Sequence, residues 1–129
     1  MSEIEIPEWW DHLQYFSPHE MYGIVKSFPR PDLMSEQLMR RADFARMLYD
    51  LPFSVTSSYR VGDPLAHGDG EALDIAVFDS FGRWNLFDAV KRAGFKRIGV
   101  YTRHIHVDVS EYLPKGLWAG VSEELEEVG

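Results

Sequence analysis

AHGDGEALDIAV (residues 66–77) and, one helix-length further on, YTRHIHVDVS (residues 101–110) are the two stretches on which the fold turns. In the first, Leu73, Ile75 and Val77 alternate with Ala72, Asp74 and Ala76, the period-two pattern of a strand with one face on the core. In the second, Ile105, Val107 and Val109 alternate with His104, His106 and Asp108. Each strand therefore offers one apolar face and one face that carries ionisable groups. Asp74 stands in mid-strand between two alanines, which leave space above it for a ligand or a metal, and a carboxylate in such a place needs a partner.

The flanking sequence fills in the elements. Between the two strands, residues 80–93 read as a helix with Trp84, Leu86, Phe87 and Val90 as its apolar stripe and Gly94 as its stop. Residues 97–101 read as a strand whose apolar parity, Ile98 and Val100, is opposite to that of Ile105 and Val107, so a turn or bulge near Thr102 and Arg103 is expected. Upstream, residues 54–60 alternate as a strand with one polar face, and residues 61–70, with three glycines and a proline, form a loop. Ser35 opens a helix with Leu38, Ala42, Ala45 and Leu48 or Tyr49 at helical spacing, ending near Asp50. Ser17-Pro18-His19-Glu20 matches a capping box and predicts a short helix to about Lys26. Trp9, Trp10, Tyr15 and Phe16 are expected to cover the core. Residues 1–11 are expected to be a peripheral extension, and residues 119–129 a peripheral acidic tail holding Glu123, Glu124, Glu126 and Glu127. Together these predict one α+β domain over residues 1–129, a mostly antiparallel sheet with its helices packed to one side.

Composition narrows the chemistry. With 129 residues, 45% hydrophobic and 26% charged, the chain suits one globular domain, and its apolar runs are too short to span a bilayer. A formal net charge of −8 argues against a partner bound through phosphates, so no nucleic acid is expected. The N-terminus lacks the basic and apolar regions of a secretory signal, which predicts synthesis in the cytoplasm. The absence of cysteine excludes disulfides, thiolate metal sites and cysteine nucleophiles, leaving His, Asp and Glu as donors for zinc.

Three of the five histidines, His67, His104 and His106, lie in or beside the two decisive stretches with Asp74 and Asp108. A lone loop histidine or a lone His-x-His is weak evidence for a metal, but their combination with a mid-strand aspartate predicts a mononuclear zinc site. Such a site would use three of these side chains and leave a fourth position to water, whose pKa the metal lowers toward neutrality.

His67-x-x-Gly70-x-Ala72-x-Asp74 followed by His104-x-His106 resembles the signature of the zinc D-alanyl-D-alanine carboxypeptidases and related peptidoglycan peptidases, whose fold is shared with the signalling domain of hedgehog proteins. YFSPHEM (15–21), LMRRADFAR (38–46) and PFSVTSSYR (52–60) are similar to the small phage-encoded or bacterial branch of that family, so the likeness covers roughly residues 12–110. The resemblance implies a hedgehog/DD-peptidase-like fold and hydrolysis of an amide bond in peptidoglycan stem peptides, by a protein that a phage delivers or that is released to act on the cell wall. It implies His67, Asp74 and His106 as zinc ligands and Arg60 as the group that holds a substrate carboxylate or carbonyl. His104 is implied to be catalytic, stabilising an oxyanion or moving a proton, and Asp108 to orient a ligand histidine. Two positions depart from the pattern. Leu65 stands where the family usually has Ser or Thr, and Arg103 stands where several members carry a glutamate as general base. Asp69, Glu71, His104 and Asp108 are the remaining candidates for that base, with His104 favoured. A zinc-binding relative without activity, such as a virion component, is the alternative expectation.

Overall fold

The computed structural model describes residues 4–122. Among them the expected α+β domain is present: two α-helices, a mixed five-stranded sheet and a small two-stranded sheet. No helix among the described residues is long and apolar enough to cross a membrane.

The first departure from expectation is at the capping box. Its contacts form, with Glu20 Oε2 accepting the Ser17 N–H at 2.9 Å and Ser17 Oγ accepting the His19 N–H at 3.1 Å. No helix follows. The chain folds instead into a hairpin of β1 (Met21–Tyr22) and β2 (Val25–Lys26) around Gly23, whose φ is +62°. A short helix survives only if it can bury an apolar face, and here Met21, Tyr22, Ile24 and Val25 all stay exposed. The N-terminal segment is also more than a peripheral extension. Trp10 is 2% exposed, donates its indole N–H to the Pro31 carbonyl at 3.0 Å and packs edge-on against Phe28.

Helix α1 (Glu36–Tyr49) runs as the sequence predicts, with Ser35 Oγ capping the Leu38 N–H at 3.1 Å and Asp50 closing it in the left-handed conformation. Leu38, Met39, Ala42 and Ala45 are its buried face. Helix α2 (Ser80–Arg92) is capped by Asp79, which accepts the Gly82 N–H at 2.6 Å. Its buried stripe is Leu86, Ala89 and Val90, and Trp84 is not part of it, being 64% exposed on another side of the helix. An aromatic residue at approximate helical spacing was insufficient to fix the face.

The large sheet has the order β3 (Val55–Ser57), β4 (Ala72–Ala76), β6 (His104–Asp108), β5 (Arg97–Val100), β7 (Gly116–Ala119). All neighbours are antiparallel except β5 and β7, which run parallel. The parity conflict between Ile98 and Ile105 resolves as a tight turn at residues 101–103, after which Ile98 pairs with Val107 and Val100 with Ile105. Leu73, Ile75, Ile98, Ile105 and Val107 join the helices' buried residues in one core, which leaves Asp74, His104, His106 and Asp108 on the opposite face. Strand β3 is shorter than residues 54–60 and carries a bulge between Val55 and Ser57. Strand β7 was not expected. It brings the chain back along β5, so Ala119 is paired into the sheet and Ser122 is buried; that part of the expected tail is structural. The four glutamates assigned to the tail lie outside the described residues.

Candidate metal centre

Antiparallel pairing of β4 with β6 sets Asp74 directly across from His106 and Ala76 across from His104. The third contributor arrives from the loop. Residues Ala66–Asp69 form a single 3-10 turn that closes on Gly70, whose φ of +70° glycine adopts at no steric cost. A Cβ on Gly70 would also stand 1.9 Å from the Leu33 carbonyl oxygen, so the loop packs against the entry to α1 with no room to spare. This turn points His67, 3% exposed, over the sheet.

One donor atom from each of His67, Asp74 and His106 lies within 4.8 Å of the other two, an arrangement that could hold a metal ion. His67 Nε2 is 3.3 Å and His106 Nδ1 3.2 Å from Asp74 Oδ1. The outer nitrogens are fixed by acceptors. His67 Nδ1 donates to the Ser58 carbonyl at 2.6 Å, and His106 Nε2 donates to Asp108 Oδ2 at 2.6 Å. With its proton committed outward, His67 turns an Nε2 lone pair toward Asp74, and that buried nitrogen has no hydrogen-bond partner. An orphaned imidazole lone pair facing a carboxylate is repulsive until a cation lies between them. The donor set therefore fits a divalent ion, with neutral imidazoles and one carboxylate as its natural ligands.

The electrostatics follow from the same contacts. Burial raises the Asp74 carboxyl, but His106 and His67 beside it outweigh that effect and hold it well below the usual carboxylate range. Burial lowers His106, yet Asp108 and Asp74 raise it overall, so without a metal a proton is favoured on its site-facing nitrogen. Asp108, 1% exposed, is kept ionised against its burial by His106 and by Arg97, whose Nε donates at 2.7 Å.

His104 stands beside this group, its Nε2 3.9 Å from Asp74 Oδ1. Its ring stacks on Tyr101 at 4.4 Å and its Nδ1 is 2.8 Å from Ser122 Oγ. Burial lowers its pKa, Asp74 opposes this, and His106, His67 and Arg60 add to the lowering. Arg60 lies on the rim with its side chain half exposed, 3.4 Å from Asp63. All of these residues line one open cleft of about 770 Å³. Asp69 and Glu71, two of the candidate bases, are not among the residues that line it.

Two parts of the site had no signal in the sequence. Trp118, on β7, packs against the His106 ring at 5.5 Å, donates to the Tyr101 hydroxyl at 2.9 Å and lies under the Arg97 guanidinium. Ser122 reaches His104 from beyond the end of β7. Both arrive through the parallel β5–β7 pairing, which no local pattern announces. No protein-family model matches this chain, and no curated protein or solved structure does either.

Proposed function

We propose that the protein is a zinc-dependent metallopeptidase that hydrolyses an amide bond in peptidoglycan stem peptides, in the manner of D-alanyl-D-alanine carboxypeptidases or endolysin-like endopeptidases. One observation carries the reading: two histidines with committed outer nitrogens and one buried aspartate converge at the floor of a wide, open cleft. The hedgehog/DD-peptidase-like fold and the peptidoglycan substrate rest on the resemblance of the His67 to Asp74 and His104-x-His106 motifs.

Bound between His67, Asp74 and His106, zinc would polarise a carbonyl and acidify a coordinated water. The chain's own residues would do the rest. Asp108 and the Ser58 carbonyl orient the two ligand rings, as outer partners of metal-bound histidines commonly do. Arg60, on the rim, offers a planar fork to a substrate carboxylate. Incubating zinc-loaded protein with muropeptides and following the products by mass spectrometry tests the proposal. The expected result is loss of one terminal D-alanine or scission of one stem-peptide bond, absent in His106→Ala; intact muropeptides at full zinc occupancy would refute it.

A second reading is favoured by a specific feature. The carboxylates that line the cleft are all engaged: Asp63 with Arg60 and the Leu65 N–H, Asp108 with His106 and Arg97, and Asp74 with the histidines. With Arg103 in place of the glutamate expected by resemblance, a zinc-binding module without hydrolytic activity is the competing function. It predicts stoichiometric zinc and muropeptide binding without turnover.

A further inference from the structure

The three histidines on this face differ in what holds their outer nitrogens, and the difference assigns them different chemistry. His67 and His106 hydrogen-bond outward to groups that can only accept, a carbonyl and a carboxylate, so the outer nitrogen of each ring carries a proton. His104 Nδ1 faces a hydroxyl, Ser122 Oγ, at 2.8 Å. That hydroxyl already accepts the Arg103 N–H at 2.9 Å. Ser122 is 6% exposed, and its own proton has one acceptor among the described residues, His104 Nδ1. A buried hydroxyl that leaves its proton unused forfeits a hydrogen bond, whereas donation to Nδ1 satisfies both groups.

We infer that Ser122 is a positioning residue that fixes His104 as the Nε2–H tautomer, so that His104 presents a hydrogen-bond donor to the cleft beside the metal group. Tyr101, stacked at 4.4 Å and 8° on the ring, holds its plane. Ser122 itself is held by its N–H, which donates to Thr102 Oγ1 at 3.0 Å. In this state His104 is neither a ligand nor a proton acceptor at its exposed end. It suits a ligand oxygen that carries or develops negative charge, such as a carboxylate or the oxyanion of an amide under attack. The oxyanion role rests on the peptidase reading; the tautomer does not.

The test separates the two. Long-range proton–nitrogen correlation spectra of protein labelled with 15N-histidine, recorded near pH ~8.5 where histidines are ordinarily neutral, report which nitrogen of each ring is protonated. The expected result is an Nε2–H His104 in the wild-type protein and in Ser122→Thr, which keeps the hydroxyl. In Ser122→Ala, with the His67 and His106 signals unchanged as the control for folding, the Nε2–H preference should be lost. An Nδ1–H His104 in the wild-type spectrum overturns the inference even if Ser122→Ala does not fold. So does an unaltered Nε2–H state in a folded Ser122→Ala. If muropeptides are hydrolysed, Ser122→Ala should lower kcat about tenfold or more with KM little changed and Ser122→Thr should restore it, the pattern of an interaction made chiefly in the transition state. If they are not hydrolysed, the peptidase reading fails while the spectra still decide the tautomer.

Discussion

Asp108 is buried to 1%, bonded on one oxygen to His106 and on the other to Arg97 and the Ser110 N–H. Removing its charge strands Arg97 and frees the His106 ring. Asp108→Asn should therefore cost about 3 kcal/mol of stability and weaken metal affinity by about 10-fold to 100-fold, read by urea denaturation and by competition with a metal indicator. Its carboxyl titrates below the ordinary carboxylate value, so the stability it supplies is fully present above that value and is lost as pH falls through the lowered one. The urea midpoint of the metal-free protein should accordingly fall in acid, and less steeply in Asp108→Asn. At His106 the sign is reversed. Asp108 and Asp74 favour its protonated form, and a metal must displace that proton. Zinc affinity should begin to fall at a pH above the ordinary histidine value of about 6.5, and a flat affinity down to pH ~4 would exclude the histidine ligands.

Among the elements, the turn that delivers His67 is the most constrained. Gly70 combines a left-handed backbone with a carbonyl that accepts the Ser35 N–H at 2.8 Å, so the loop and the cap of α1 lock together. Gly70→Ala should destabilise the protein by about 2 kcal/mol or more and lower metal affinity by displacing His67, measured by thermal unfolding with and without zinc. How far the elements could be foreseen depends on how local their causes are. Helix α1, strand β4 and strand β6 carry full periodic patterns and caps, so their faces, and with them Asp74 and the His104/His106 pair, were readable from the chain. The capping box at Ser17 showed the limit, because a local start signal cannot supply a surface to bury. The burial of His67 depends on a loop closing against residue 33, and the approach of Trp118 and Ser122 depends on a parallel strand. Neither leaves a trace in neighbouring residues.

For the whole molecule, a metal that binds only the folded chain must stabilise it by mass action. At a free zinc concentration a hundred times Kd the gain is about 2.7 kcal/mol, which for a domain of this size raises Tm by about 10 °C. Calorimetry with zinc and then with chelator should show the rise and its reversal, and His67→Ala or Asp74→Ala should abolish it. The donors, however, are not equally tied to the fold. Asp74 and His106 are ladder partners, so their spacing, about 5 Å between Cβ atoms, is set by the backbone of the central strands. His67 is held by a turn at the sheet's margin. The site is thereby asymmetric: two donors are fixed by the pairing of the central strands, while the third depends on the lock between Gly70 and Ser35 and on the hydrogen bond from His67 Nδ1 to the Ser58 carbonyl. Loosening that lock would displace one donor of a bound ion and leave the spacing of the other two intact.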